Sequence, residues 1–107
     1  MVINGGMQRV LSFDIYTIQK SIKYYGDKNQ LIVSLEELSE LQKEICKKLR
    51  DNENEDKIIE EMADVYIVLE DIKQILEIKD KDIQREVNYK LNRLEERMKT
   101  NDIYVSQ

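Results

Sequence analysis

The 107-residue chain has no histidine, no proline and no tryptophan, three glycines and a single cysteine. Without histidine there is no imidazole base, no Ser-His or Cys-His nucleophile, and no histidine-ligated zinc or haem. Cys46 alone forms neither an intrachain disulfide nor a cysteine cluster, which suits a reducing cytoplasm. Gly5, Gly6 and Gly26 supply no phosphate-cradling loop of the P-loop or dinucleotide type. No run approaches about eighteen consecutive apolar residues, and Met1–Gly6 lacks the form of a signal peptide. A soluble cytoplasmic protein is expected, whose chemistry is left to carboxylates, amines, guanidinia and whatever metal they hold.

What is present is charge and aliphatic surface. Apolar residues make up 41% and charged residues 36%, too apolar for a disordered acidic tail and too charged for a membrane span. The length fits one domain over residues 1–107. The net charge of -5 is unevenly placed: +2 in residues 1–30, -8 in residues 31–80 and +1 in residues 81–107. An acidic middle without a basic, aromatic-interleaved stripe argues against nucleic acid as a partner, though not against a phosphate that arrives with a divalent cation.

Apolar residues three and four apart predict helix nearly throughout, in an all-α, four-helix antiparallel bundle with an ordered core at about residues 8–98. The first helix is expected from about Gln8 to Tyr25, along Leu11, Ile15, Ile18 and Ile22, with Gly26 as its stop. Asp27 is the expected cap of the second, with Gln30 at the capping-box position. That helix carries Leu31, Leu35, Leu38, Ile45 and Leu49, and Asp51–Asn54 reads as a loop. The third, from near Glu55, spaces Ile58, Met62, Val65, Leu69, Ile72 and Leu76 in strict 4-3-4-3-4 order. Asp80 is a candidate cap for the fourth, which carries Ile83, Val87, Leu91 and Leu94; the tail from Thr100 has no helical stripe. A chain this small buries a modest share of its apolar surface alone, which favours a homodimer or homotetramer over a monomer.

The acidic middle repeats itself. Glu36-Glu37-Leu38-Ser39-Glu40-Leu41 is answered by Glu60-Glu61-Met62-Ala63-Asp64-Val65. Three-residue spacing puts Glu37 with Glu40, and Glu61 with Asp64, on one side of each helix. At 100° per residue Glu61 lines up with Val68 and Ile75 on the shoulder of the apolar seam, and Asp64 with Asp71. On antiparallel neighbours the four carboxylates converge, and such a cluster repels itself unless a cation intervenes. Oxygen ligands without nitrogen or sulfur select Mg²⁺, Mn²⁺ or Ca²⁺, and Mg²⁺ is held by a few carboxylates plus substrate phosphates. A phosphoanhydride is then the natural substrate, with the metal polarising a phosphoryl oxygen and acidifying water. Isolated acidic pairs of this kind are usually solvated helix faces; the repetition on consecutive helices is what favours metal binding.

Glu36-Glu37-x-x-Glu40, twenty residues (41 to 60), then Glu61-x-x-Asp64 resembles the signature of the MazG-like all-α nucleoside triphosphate pyrophosphohydrolases. The similarity extends through Tyr25-Gly26, Gln30 and Lys90-Leu91-x-Arg93-Leu94-x-x-Arg97, about residues 20–98. The resemblance implies a four-helix protomer in a dimer or tetramer that binds Mg²⁺, with Mn²⁺ as a substitute. It implies conversion of an NTP or dNTP to the monophosphate and pyrophosphate. Glu37, Glu40, Glu61 and Asp64 match the metal-binding, catalytic positions; one of them, or the metal, activates water for attack at the α-phosphorus. The resemblance also lets Lys90, Arg93 and Arg97 reach the phosphates, although Glu86 and Glu96 offer them helical partners.

Lys47 shares a helix face with Glu40 and is a phosphate candidate, or else an ordinary partner of Glu44. For the nucleoside, Phe13, Tyr16, Tyr24, Tyr25 and Tyr66 offer aromatic surface and Gln30 a hydrogen bond. A non-catalytic helical oligomerisation or interaction module is the rival reading, and a pyrophosphohydrolase of phosphoribosyl nucleotides ranks behind both.

Overall fold

The computed structural model describes residues 11–100. Among them are four α-helices and no strand: α1 (Ile15–Tyr25), α2 (Asp27–Leu49), α3 (Glu55–Leu76) and α4 (Asp80–Lys99). The chain divides inside α3 into two compact units, residues 1–72 and 73–107. No helix among the described residues is long and apolar enough to cross a membrane. Gln8–Val10 and the tail beyond Thr100 lie outside the described residues.

In the first unit, α1 starts later than the apolar spacing predicts. Asp14 halts the chain in an extended conformation and caps the helix, its Oδ1 accepting from the Thr17 amide at 3.2 Å while the Thr17 hydroxyl donates to Oδ2 at 2.7 Å. Leu11 therefore lies before the helix and is exposed, and Phe13 meets the Tyr66 ring of α3 at 6.4 Å between centroids. Gly26, at φ 93°, ends α1 through its amide on Ile22 O and begins α2 through its carbonyl, which accepts from the Gln30 amide. With a single residue between the helices, Asp27 is already helical and its side chain caps nothing, contrary to the capping expected of it. Gln30 is released from the capping box and turns inward.

Three pairings fix α2 and α3 as antiparallel: Gln30 meets Asp71, Glu37 meets Asp64 and Glu44 meets Asn54. The seven-residue step from Gln30 to Glu37 along α2 is answered by seven residues back along α3, from Asp71 to Asp64, and Glu44 meets Asn54 in the turn before α3. The buried side chains on these helices are Gln30, Ser34 and Glu44 on α2, and Glu61, Val68 and Asp71 on α3. The apolar seams lie about 100° round each helix from this line, at 100° per residue. Leu35, Leu38, Ile45 and Leu49 on α2, and Met62, Leu69 and Leu76 on α3, are exposed; Leu49 is 80% accessible. The fully buried interior of the first unit is thus a polar ladder with few aliphatics, Ile18 and Val68, and the seams only border it, with Leu31, Ile58, Val65 and Ile72 half-buried.

The turn after α2 is built from its own side chains. Asp51 takes φ 65°, the Asn52 amide group donates to Lys47 O at 2.7 Å, and the Asn54 amide group donates to Glu44 O and Oε1, each at 2.9 Å. In the second unit, Glu77 at φ 55° lets the Ile78 amide close on Lys73 O at 2.9 Å, the six-to-one bond of a Schellman ending. Lys79, not Asp80, occupies the N-cap of α4; Asp80 is its first residue and pairs with Lys73. No residue of α4 is buried.

Candidate metal centre

The middle rung of the ladder gathers three carboxylates. Glu37 from α2 and Glu61 and Asp64 from α3 each place an oxygen so that all three lie within 4.8 Å of one another. The geometry follows from helical spacing: Glu37 lies on the α2 line that faces α3, while Glu61 and Asp64, three apart, straddle the corresponding line on α3. Glu61 is 4% accessible and the other two are half-buried.

Burial, followed by the negative charges of Asp64 and Glu61, raises the Glu37 pKa above its ordinary 4.5. A hydrogen bond with Asp64 and the charge of Glu40 act in the same direction. Proton sharing between two carboxyls is one relief for such a cluster; a cation is the other. Three oxygen donors from three side chains, with no nitrogen or sulfur among them, fit a hard divalent ion of the Mg²⁺ or Mn²⁺ kind. Lys57, one turn before Glu61, supplies a cation in the present arrangement. Its Nζ stands 3.0 Å from Glu60 Oε1 and 3.3 Å from Glu61 Oε2. The bonds to Glu60 and then Glu61 hold its ammonium above the ordinary 10.5, so it stays charged.

Glu40, expected in the same set, is not one of the converging groups. Three residues from Glu37 is 60° round α2 on the side away from the seam, and its Oε1 lies 3.4 Å from Lys43 Nζ. Lys47 bonds Glu44 Oε2 at 3.2 Å, the ordinary pairing weighed for it. Glu44 itself is 2% accessible; the Asn54 bond first, and then Lys47, lower its pKa against the opposing effect of burial. In the second unit, Lys90 is exposed and Arg93 lies 5.9 Å over the Tyr89 ring, while Arg97 is half-buried. Tyr25 is exposed and packs edge-on against Tyr24, with centroids 4.8 Å apart. Cys46 is exposed.

The sequence reading passed over Asp71. Two turns along α3 from Asp64, about 10 Å at helical rise, it is 2% accessible. Its Oδ2 receives one long contact from Gln30 Nε2 at 3.5 Å, and its Oδ1 is buried without a hydrogen-bond partner. Burial raises its pKa above 3.8, Glu70 adds to the rise and Gln30 opposes it. The signal was present as the seven-residue repetition Gln30, Glu37, Glu44 against Lys57, Asp64, Asp71. No known protein family, curated protein or solved structure matches the chain. Its function is therefore read from the carboxylates themselves.

Proposed function

We propose that the chain is a Mg²⁺-dependent nucleotide pyrophosphohydrolase, whose site is held by Glu37, Glu61 and Asp64. The observation that carries this reading is the convergence of those three oxygens within 4.8 Å across α2 and α3, with Glu61 buried. Exposed acids on a solvated face spread apart; here the fold brings them together against their own repulsion. A bound Mg²⁺ or Mn²⁺ supplies the Lewis acid that polarises phosphoryl oxygens and acidifies water.

The chain's own residues divide the remaining work. Glu61 and Asp64 fix two ligand directions from one rigid helix, and Glu37 fixes the third from its neighbour. One of these carboxylates takes up the proton of the attacking water, which the metal acidifies. The water oxygen bonds to the α-phosphorus, the α–β bridging P–O bond breaks, and pyrophosphate leaves a nucleoside monophosphate behind. Glu40 sits at the edge of this set and contributes negative charge to it.

The exposed seams of α2 and α3 support a homo-oligomer, a dimer or tetramer in which further copies cover Leu35, Leu49, Leu69 and Leu76 and four-helix antiparallel packing is completed. The same seams are what favours the second reading, a helical oligomerisation module without catalysis. A panel of NTPs and dNTPs scored for pyrophosphate against orthophosphate separates the two. Mg²⁺-dependent pyrophosphate release that disappears in Glu61→Gln, with the helical circular dichroism retained, supports the enzyme. Undiminished turnover in that variant overturns the site. Absence of any nucleotide-dependent thermal shift in Mg²⁺ favours the module.

A further inference from the structure

Lys57, Glu61 and Asp64 occupy successive turns of one side of α3, and the Lys57 ammonium reaches the buried acid of the cluster. Glu61 Oε2 lies 3.3 Å from Nζ, and the same carboxylate is one of the three whose oxygens converge. An ion coordinated at about 2.1 Å from a Glu61 oxygen would crowd a second positive charge against the ammonium. Where the ion takes the oxygen that Lys57 holds, the ammonium withdraws. Lys57 has the means: its side chain is 47% accessible, its stem is flexible, and the exposed Glu60 carboxylate holds it on the outer side at 3.0 Å.

Charge balance says where the ammonium is next useful. Three carboxylates around one divalent ion leave a net charge of minus one, which repels a polyphosphate. A lysine displaced by a few ångströms from Glu61 remains beside the site and restores neutrality. We propose that Lys57 is a phosphate-binding residue of this centre, held on Glu61 while no ion is there and transferred to the phosphate tail of a nucleotide when the ion takes Glu61 over. The inference rests on the pyrophosphohydrolase reading and names the residue that couples metal entry to phosphate capture.

The coupling has a signature of opposite signs. Lys57→Met keeps the stem and removes the charge, and Lys57→Gln serves as a second neutral variant. In the full-length protein without nucleotide, Mn²⁺ binding followed by loss of the free-ion electron paramagnetic resonance signal should tighten, because the competing ammonium is gone. With an α,β-methylene nucleoside triphosphate present, affinity for the Mn²⁺-bound analogue should weaken by about tenfold, the loss of one charge-assisted contact. Lys57→Arg should recover part of the second effect. Shifts of the same sign in both titrations, or no shift in either, overturn the role of Lys57 while leaving the metal site standing. Failure of the unsubstituted protein to bind Mn²⁺ at all overturns both.

Discussion

Asp71→Asn should stabilise the protein at pH 8 and have almost no effect at pH 4. Asp71 is 2% accessible, with one 3.5 Å donor from Gln30 and an Oδ1 that has no partner. An ionised carboxylate has roughly four acceptor sites, so the folded chain leaves most of its hydration unreplaced. Burial, reinforced by Glu70, therefore raises its pKa in the folded state above the ordinary 3.8. A group whose folded value is raised holds its proton more tightly when folded. Its contribution is full below the unfolded value and is lost as pH climbs through the folded one. At pH 8 the folded state carries the whole penalty, and asparagine, nearly the same shape, removes the charge while still accepting from Gln30. Its two N–H groups take the place of the orphaned oxygen at some cost, so the net gain is on the order of 1 kcal/mol, within the range for an unsatisfied buried group. Urea titrations of both proteins at pH 4, 6 and 8, at one protomer concentration, give the difference directly. A stability difference that does not change with pH, or a loss at pH 8, would show that Asp71 is matched by a cation and refute the reasoning.

Three further outcomes follow from the same geometry. Glu37→Gln should weaken Mn²⁺ binding at least tenfold, and Glu40→Gln, whose carboxylate is turned toward Lys43, by no more than about threefold, as read by isothermal titration. Because the Glu37 value is raised, metal affinity in the unsubstituted protein should fall as pH drops through it. The fall begins above the pH expected of an ordinary carboxylate at 4.5 and approaches about one decade per pH unit; it should be blunted in Glu37→Gln. Asn54→Ala removes the amide that joins the α2–α3 turn to Glu44, and should cost on the order of 1–2 kcal/mol in urea unfolding and speed amide exchange at the end of α2.

Periodicity made the helices readable and concealed which side of each faces inward. In a chain without proline, the loop at Asp51–Asn54 and the bounds of α2, α3 and α4 follow from where apolar spacing stops. The start of α1 did not, because Asp14 caps the helix by accepting from both the amide and the hydroxyl of Thr17, at a point that apolar spacing alone would continue through. The seams are as regular as a core face and yet no seam residue of α2 or α3 is fully buried, since the first unit uses the adjoining line, Gln30, Glu37 and Glu44 against Asp64 and Asp71, for its own packing. A polar residue every seventh position reads as solvated until its counterpart on the next helix is aligned with it. Once that alignment is made, the acidic repeat resolves by angle. On α2 the central residue is Glu37 and Glu40 falls to one side; on α3 the two acids straddle the line and both reach it. Both exposed seams then gain a physical reason. A helix pair that spends its mutual interface on polar side chains leaves aliphatic residues outside it, and a second copy that covered them would stabilise the pair by about 25 cal/mol per Å² of apolar surface removed from water. If assembly supplies that stabilisation, Leu35→Glu should shift the protein to smaller species in light scattering and lower its stability together, and a variant that stays assembled with unchanged stability would contradict this.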